Sequence, residues 1–189
     1  MILEDTTDAI LLEQARKGDE TAFRAIVLRY EKKVALTVIG MLGNCPEADD
    51  VGQEVFIRFF RTIDTFRQEA SLNTFLTKIA INLSINELER RKRRRRFTLS
   101  SFAPPDDTHN DTPEQQIADP NNAYEQAEIR EQIQKALDRI DEKLRAVITL
   151  RLIEGYSTQE TADMLQIPLG TVLSRLSRAQ EQLRKYLLP

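Results

Sequence analysis

The sequence predicts an all-α protein built as two small helical domains, an N-terminal helical bundle and a C-terminal helix-turn-helix, joined by a flexible acidic linker. Three observations predict it. The 189 residues hold no Trp and only six Gly, while helix-favouring Leu, Ile, Arg, Glu and Ala abound. Apolar residues recur at three- and four-residue spacing in two long stretches, and nothing alternates as a strand would. Between those stretches Pro104, Pro105, Pro113 and Pro120 stand among Asp, Thr, Asn and Gln, with too few apolar groups to offset the entropy of ordering. The expected boundaries are 8–96, 97–121 and 122–188.

In the first stretch Phe23, Ile26, Val27, Tyr30 and Val34 mark one helix, and Gly43, Asn44, Cys45 and Pro46 interrupt it with a turn. A helix from Glu47 to Ile63 follows, with an apolar arc of Val51, Val55, Phe56, Phe59, Phe60 and Ile63. Its other arc sets Asp50, Gln53, Glu54, Arg58 and Arg61 around Ile57. Mixed charge flanking one exposed apolar side chain suits a protein contact, although scattered exposed apolar residues are common. Gly52 inside this helix costs about 1 kcal/mol relative to Ala.

The next helix, Leu72 to Arg93, is apolar on two sides, through Phe75, Leu76, Ile79, Ala80 and Leu83 and through Ile81, Ile85 and Leu88. That argues for a central, doubly packed helix. Asn82 and Asn86 share a line with Phe75. An aromatic and two amides can hold an unstacked base, and two amides can equally satisfy local backbone groups. Seven consecutive cations, Arg90 to Arg96, then offer phosphates a strong, sequence-blind attraction, though such runs are often solvated tails.

The last stretch resumes with Ile129, Ile133, Ala136, Leu137, Ile140, Leu144, Val147 and Ile148. Gly155 ends a helix, Ser157 and Glu160 form a capping box for the next, which runs to about Leu165, and Gln166-Ile167-Pro168 breaks that one. A further helix begins near Gly170, which gives the spacing of a helix-turn-helix. Val172, Leu176, Ala179 and Leu183 make its core stripe. Opposite lie Thr171, Ser174, Arg175, Arg178 and Gln182, donors and acceptors that reach base edges and phosphates in a major groove. The plain alternative is a solvated amphipathic face.

Charge is segregated. Phe97 to Glu128 holds seven acids and no Lys or Arg, and leaving that block out turns the net charge from −3 to +4. Blocks of this kind serve partners more than folding. No apolar run approaches a membrane span, and the N-terminus lacks the pattern of a secretory signal. One Cys and one His exclude an intrachain disulfide and a metal cluster. There is no Ser-His-Asp set and no Walker glycine loop, so no catalytic residues, cofactor, metal or small-molecule substrate are expected, and a cytoplasmic location is.

Two blocks of residues carry a resemblance. Glu47 through Phe56, Phe66-Arg67, Ser71 through Leu76, Ile79-Ala80 and Asn82, closing on the basic run, resemble the second conserved region of extracytoplasmic-function sigma factors of bacterial RNA polymerase. Leu144 to Leu183 resembles their fourth region, with Arg151-Leu152, Glu154 to Tyr156, Glu160 to Ala162, Gly170 to Val172, Ser174 to Leu176 and Arg178-Ala179. The chain departs by Phe75 where the family usually has Trp, by Gly52, and by Leu173 where many members place a cation. The resemblance implies promoter-specific initiation with core polymerase. Asp49, Asp50, Gln53, Glu54, Ile57, Arg58 and Arg61 would dock on the clamp of the largest subunit. Phe66, Arg67, Ser71, Phe75, Asn82, Asn86, Arg90, Arg91 and Arg93 would recognise and melt the minus-ten element. The fourth region would sit on the flap of the second-largest subunit and read the minus-thirty-five element through Thr171, Ser174, Arg175, Arg178 and Gln182. An anti-sigma factor would control the whole.

The mechanism expected is two weakly coupled DNA modules, poor binders alone, which polymerase fixes at the promoter spacing. Two rivals are a stand-alone helix-turn-helix regulator and a helical adaptor that touches no nucleic acid.

Overall fold

The computed structural model describes residues 7–67, 70–99 and 120–187, and among them every regular element is helical. The first unit holds α1 (Asp8–Arg16), α2 (Glu20–Leu42), α3 (Pro46–Thr62), a 3-10 turn (Ile63–Thr65) and α4 (Leu72–Leu99). Asp19 caps α2 by accepting from the amides of Thr21 at 2.8 Å and Ala22 at 3.2 Å. Gly43 ends α2 with φ at +79°, a backbone that side-chain-bearing residues rarely adopt, and its amide returns to the Ile39 carbonyl. Pro46 then starts α3 at a position where its missing N–H costs nothing. Val38 and Met41 of α2, Val55 and Phe59 of α3, and Leu76 and Ala80 of α4 pack with Leu11 of α1 into one buried core.

The predicted apolar arc of α3 needs one correction. Val51, Val55, Phe59 and Ile63 are buried, but Phe60 is 58% exposed and meets only the edge of Phe23 with its ring. It sits at the rim of the α2–α3 contact rather than inside it, so the core-facing arc is narrower than the apolar pattern.

The second unit holds α5 (Pro120–Asp138), α6 (Glu142–Ile148), a π-turn (Thr149–Ile153), α7 (Thr158–Leu165) and α8 (Leu169–Leu187). The capping box forms as the sequence predicts: Ser157 Oγ accepts from the Glu160 amide at 3.1 Å, and Glu160 Oε2 accepts from the Ser157 amide at 2.8 Å. α7 ends at Leu165, where the sequence places its end, and Gln166, at φ +54° in the left-handed region, opens the break. Val172 and Ala179 of α8 are buried against Val147, Ala162 and Leu144, as the stripe predicts. Ile129 and Ile133 of α5 are half exposed instead.

Most of the expected linker lies outside the described residues. Its first three residues belong to α4 and its last two to α5.

The two units are not weakly coupled in this structure. Ala146, Leu150, Tyr156 and Met164 of the second are buried in the same core as Val38, Leu76 and Ile81 of the first. Polar contacts reinforce the seam. Thr37 Oγ1 donates to Glu154 Oε1 at 2.6 Å, and Tyr156 Oη accepts from Asn73 Nδ2 at 2.7 Å and lies 3.2 Å from Thr77 Oγ1. Lys92 pairs with Glu142 and lies 3.5 Å from Asp141. Gly40 lets α2 approach the π-turn, since a Cβ there would stand 3.3 Å from Ile153 Cδ1. Sequence periodicity finds both stripes of α4 but carries no information on which partner covers each.

Candidate nucleic-acid interface

Three surfaces carry the residues singled out from sequence. The first is the outer arc of α3. Asp49, Asp50, Gln53, Arg58 and Arg61 are exposed there, Glu54 is half-buried, and Ile57 is 44% exposed among them. Glu54 and Arg58 pair at 3.2 Å one turn apart. A groove of about 360 Å³ between α2 and α3 is lined by Val34, Ala35, Asp49, Gly52, Gln53 and Phe56. Gly52 faces open space, with no atom near the place a Cβ would take.

The second surface runs along α4. Ser71, Asn82, Asn86 and Arg93 are exposed. Ser71 Oγ accepts from the Thr74 amide at 3.1 Å and so caps the start of α4. Phe66 and Phe75 do not stand out for stacking. Their centroids lie 4.6 Å apart in an aromatic cluster with Phe59, and Phe66 is 7% exposed. Both rings nevertheless line a cavity of about 620 Å³, together with Arg67, Ser71 and Lys78.

Arg91 departs from its expected role. Its guanidinium is half-buried and donates to the Leu42 carbonyl at 3.3 Å, the Cys45 thiol at 2.9 Å and Glu47 at 3.2 Å. It ties α4 to the turn before α3, leaving its charge spent within the fold. Arg90, by contrast, is exposed and pairs with Glu87 at 2.7 Å.

The third surface is α8. Ser174 and Arg178 are exposed, while Thr171, Arg175 and Gln182 are half-buried at the margins of the polar face. Arg178 Nε donates to the Ser174 carbonyl at 3.2 Å, which lays the side chain back along its own helix. Leu173, 50% exposed, stands beside Ser174 where a cation would extend the face.

Sequence reasoning missed Arg16. From α1 its Nε donates to the Ile63 carbonyl at 2.9 Å, and its Nη2 donates to the Phe66 carbonyl. It pins the entry of the loop that leads to Arg67. A lone basic residue ending a short helix gives no signal of such a reach. Lys78, on the cavity wall, was also missed, although it lies on the Asn82 line one turn earlier.

Residues 26–94 match the family model of sigma-70 region 2, and residues 130–183 match that of sigma-70 region 4. The chain is 34% identical to the RNA polymerase sigma-H factor of Pseudomonas aeruginosa, covering 100% of this chain and 97% of that protein. It is 33% identical to the ECF RNA polymerase sigma-E factor of Escherichia coli K12, over 98% and 97%. Its fold is similar to that of CnrH in complex with the cytosolic domain of CnrY, with a TM-score of 0.65 at 24% identity over 95% of this chain and 96% of that one. It is also similar to the sigma factor RpoE of Bartonella quintana in complex with the anti-sigma factor NepR, with a TM-score of 0.64 at 21% identity over 87% and 96%. Two region models matched in chain order, and sigma factors matched from end to end at a third identity, leave one conclusion: the chain belongs to the sigma-70 family, as an extracytoplasmic-function sigma factor.

Proposed function

We propose that this sigma factor divides its work among the three surfaces. The outer arc of α3 around Ile57 docks on the clamp of the largest polymerase subunit. The Phe66–Ser71 loop and the exposed line of α4 through Asn82 and Asn86 take the minus-ten strand and hold a flipped base. The α8 face around Ser174 and Arg178 reads the minus-thirty-five element while its unit rests on the flap. The observation that carries the reading is the pair of exposed amides on α4, one turn apart between an aromatic-lined cavity and a run of cations. Capture of a flipped base offsets part of the few kcal/mol that unstacking costs. The cations supply the sequence-blind hold on phosphate.

An anti-sigma factor restrains the chain in this reading. Its support is the complexes in which CnrH and the Bartonella RpoE are found, with CnrY and with NepR. Among the described residues no helix is long and apolar enough to cross a membrane, which is consistent with action beside the polymerase. The stand-alone regulator is not favoured, since the full-length relatives are sigma factors.

Run-off transcription with purified core polymerase, followed by start-site mapping, tests the proposal. New starts that need the chain are expected, and they should vanish with Asn82→Ala and with Ile57→Glu. Variants of Asn82 that initiate as the parent does would remove the base-capture role.

A further inference from the structure

The outward arc of α8 carries an apolar side chain that none of the proposed promoter contacts uses. Val172 and Ala179, both fully buried, define the inward line of this helix. At roughly 100° per residue, Leu173 and Arg178 turn about 110° from that line, to opposite sides. Ser174 and Ser177 are exposed between them, and Gly170, one turn before Ser174, faces open space. Leu173 itself is 50% exposed, so it borders the same arc as Arg178. The polar members of the arc fold back on their own helix. Ser174 Oγ donates to the Thr171 carbonyl at 3.1 Å, and Arg178 Nε donates to the Ser174 carbonyl at 3.2 Å. Leu173 has no polar atom to turn inward.

Base edges in a major groove present hydrogen-bonding groups, and the thymine C5-methyl is the one apolar group among them. Packed against leucine, any other edge would lose water from a donor or acceptor without a replacement. A thymine methyl instead takes apolar surface out of water on both sides of the contact. Base contacts concentrate near the start of a recognition helix, and Leu173 is the fifth residue of α8. The serines between Leu173 and Arg178 are short, which lets a duplex approach until the leucine methyls meet base edges. We propose that Leu173 is a specificity-determining residue, which selects an A·T pair in the minus-thirty-five element by packing on the thymine C5-methyl. The proposal rests on the reading of α8 as the face that meets that element. Leu169, 43% exposed one turn earlier, supplies a comparison of equal size. It stands roughly 70° from the inward line, nearer the core and outside the arc.

The test uses holoenzyme assembled from the full chain and core polymerase, on a promoter identified by start-site mapping. Each thymine of the minus-thirty-five element, on either strand, is replaced in turn by deoxyuridine, which deletes the methyl group alone. Binding of the parent should weaken about fourfold at one such position, the factor that burying one carbon gives. In Leu173→Ala that penalty should vanish, while Leu169→Ala keeps it. Thermal melts establish that both variants fold. A parent indifferent to every deoxyuridine, or a penalty that survives Leu173→Ala, overturns the proposal. An element without an A·T pair does the same. If Leu173→Ala weakens association with core polymerase in the absence of DNA, the side chain meets protein and the proposal falls. Scrambling the whole element separates this proposal from the reading beneath it. Binding lost on scrambling, with no deoxyuridine effect, leaves α8 as the reading face and removes only the role of Leu173. Binding unchanged on scrambling removes both.

Discussion

Arg91 and Arg145, from opposite units, donate to adjacent carbonyls at the C-terminal end of α2. Arg145 Nη1 lies 2.6 Å from the Met41 oxygen, and Arg91 Nη1 lies 3.3 Å from the Leu42 oxygen. The last turn of α2 has no basic residue of its own, so its orphan carbonyls and the negative end of its dipole are met from outside. Burial depresses the Arg145 pKa, and neighbouring Arg91 depresses it further, while Asp138 at 3.2 Å opposes both. A buried cation of the second unit thus closes the end of a first-unit helix.

Arg145 is 4% exposed, so its loss leaves the Met41 and Ile140 carbonyls without their donor and opens a void. Arg145→Ala is expected to cost about 2–3 kcal/mol, read as a lower midpoint in urea. Asp138→Ala should cost far less, because that carboxylate is half exposed.

Removing Arg16 takes the side-chain donor from the Phe66 carbonyl and leaves the Ile63 carbonyl to the Phe66 amide at 3.4 Å. Arg16→Ala is expected to cost about 1.5–3 kcal/mol and to slow promoter opening, with association with core polymerase unchanged. Lys, which lacks the fork needed for both carbonyls, should restore only part. Permanganate reactivity of the minus-ten thymines reports the opening step.

Gly52 lies in a helix interior and faces open space. Gly52→Ala should therefore stabilise the chain by about 0.5–1 kcal/mol, measured by thermal melt. Gly52→Arg fills the groove beside Asp49 and Gln53, and should weaken core polymerase binding in a pull-down while leaving the fold intact.

On α8, Arg178→Ala is expected to cost about 1–3 kcal/mol of promoter discrimination if the side chain leaves the Ser174 carbonyl to pair a base. Binding measured across a panel of single-base promoter variants decides this. A loss confined to one base pair marks base reading, and an equal loss at all of them marks a phosphate anchor.

Two caps set an acid limit. Thr21 and Ser157, by hydroxyl and backbone hydrogen bonds, hold the carboxyls of Asp19 and Glu160 below their ordinary ranges. A depressed folded pKa contributes stability above the unfolded value and loses it as pH falls through the folded one. Stability should therefore be flat near neutrality and decline below about pH 4. Asp19→Asn and Glu160→Gln should each reduce that decline in melts taken across acid pH.

Much of this was legible in the sequence because its signals are local. The spacing of Val172, Ala179 and Leu183 fixes the inner face of α8, and Ser157 with Glu160 fixes the start of α7, whatever lies elsewhere. The apolar pattern of α3 is one residue wider than its buried arc, at Phe60, since periodicity reports a direction and not how far a neighbour extends. The run from Arg90 to Arg96 gave charge without geometry, so Arg91 could not be told from Arg90.

By itself the sequence determined two helical units in order, their caps, their inner stripes and their family, all properties of short windows of chain. Long-range packing is what sets Tyr156 and Met164 in one core with Leu76, brings Arg145 to the end of a helix of the other unit, and puts α7 beside Phe66. The reason is physical: a helix stripe states that something must cover it, and the identity of the cover depends on contacts between residues a hundred positions apart.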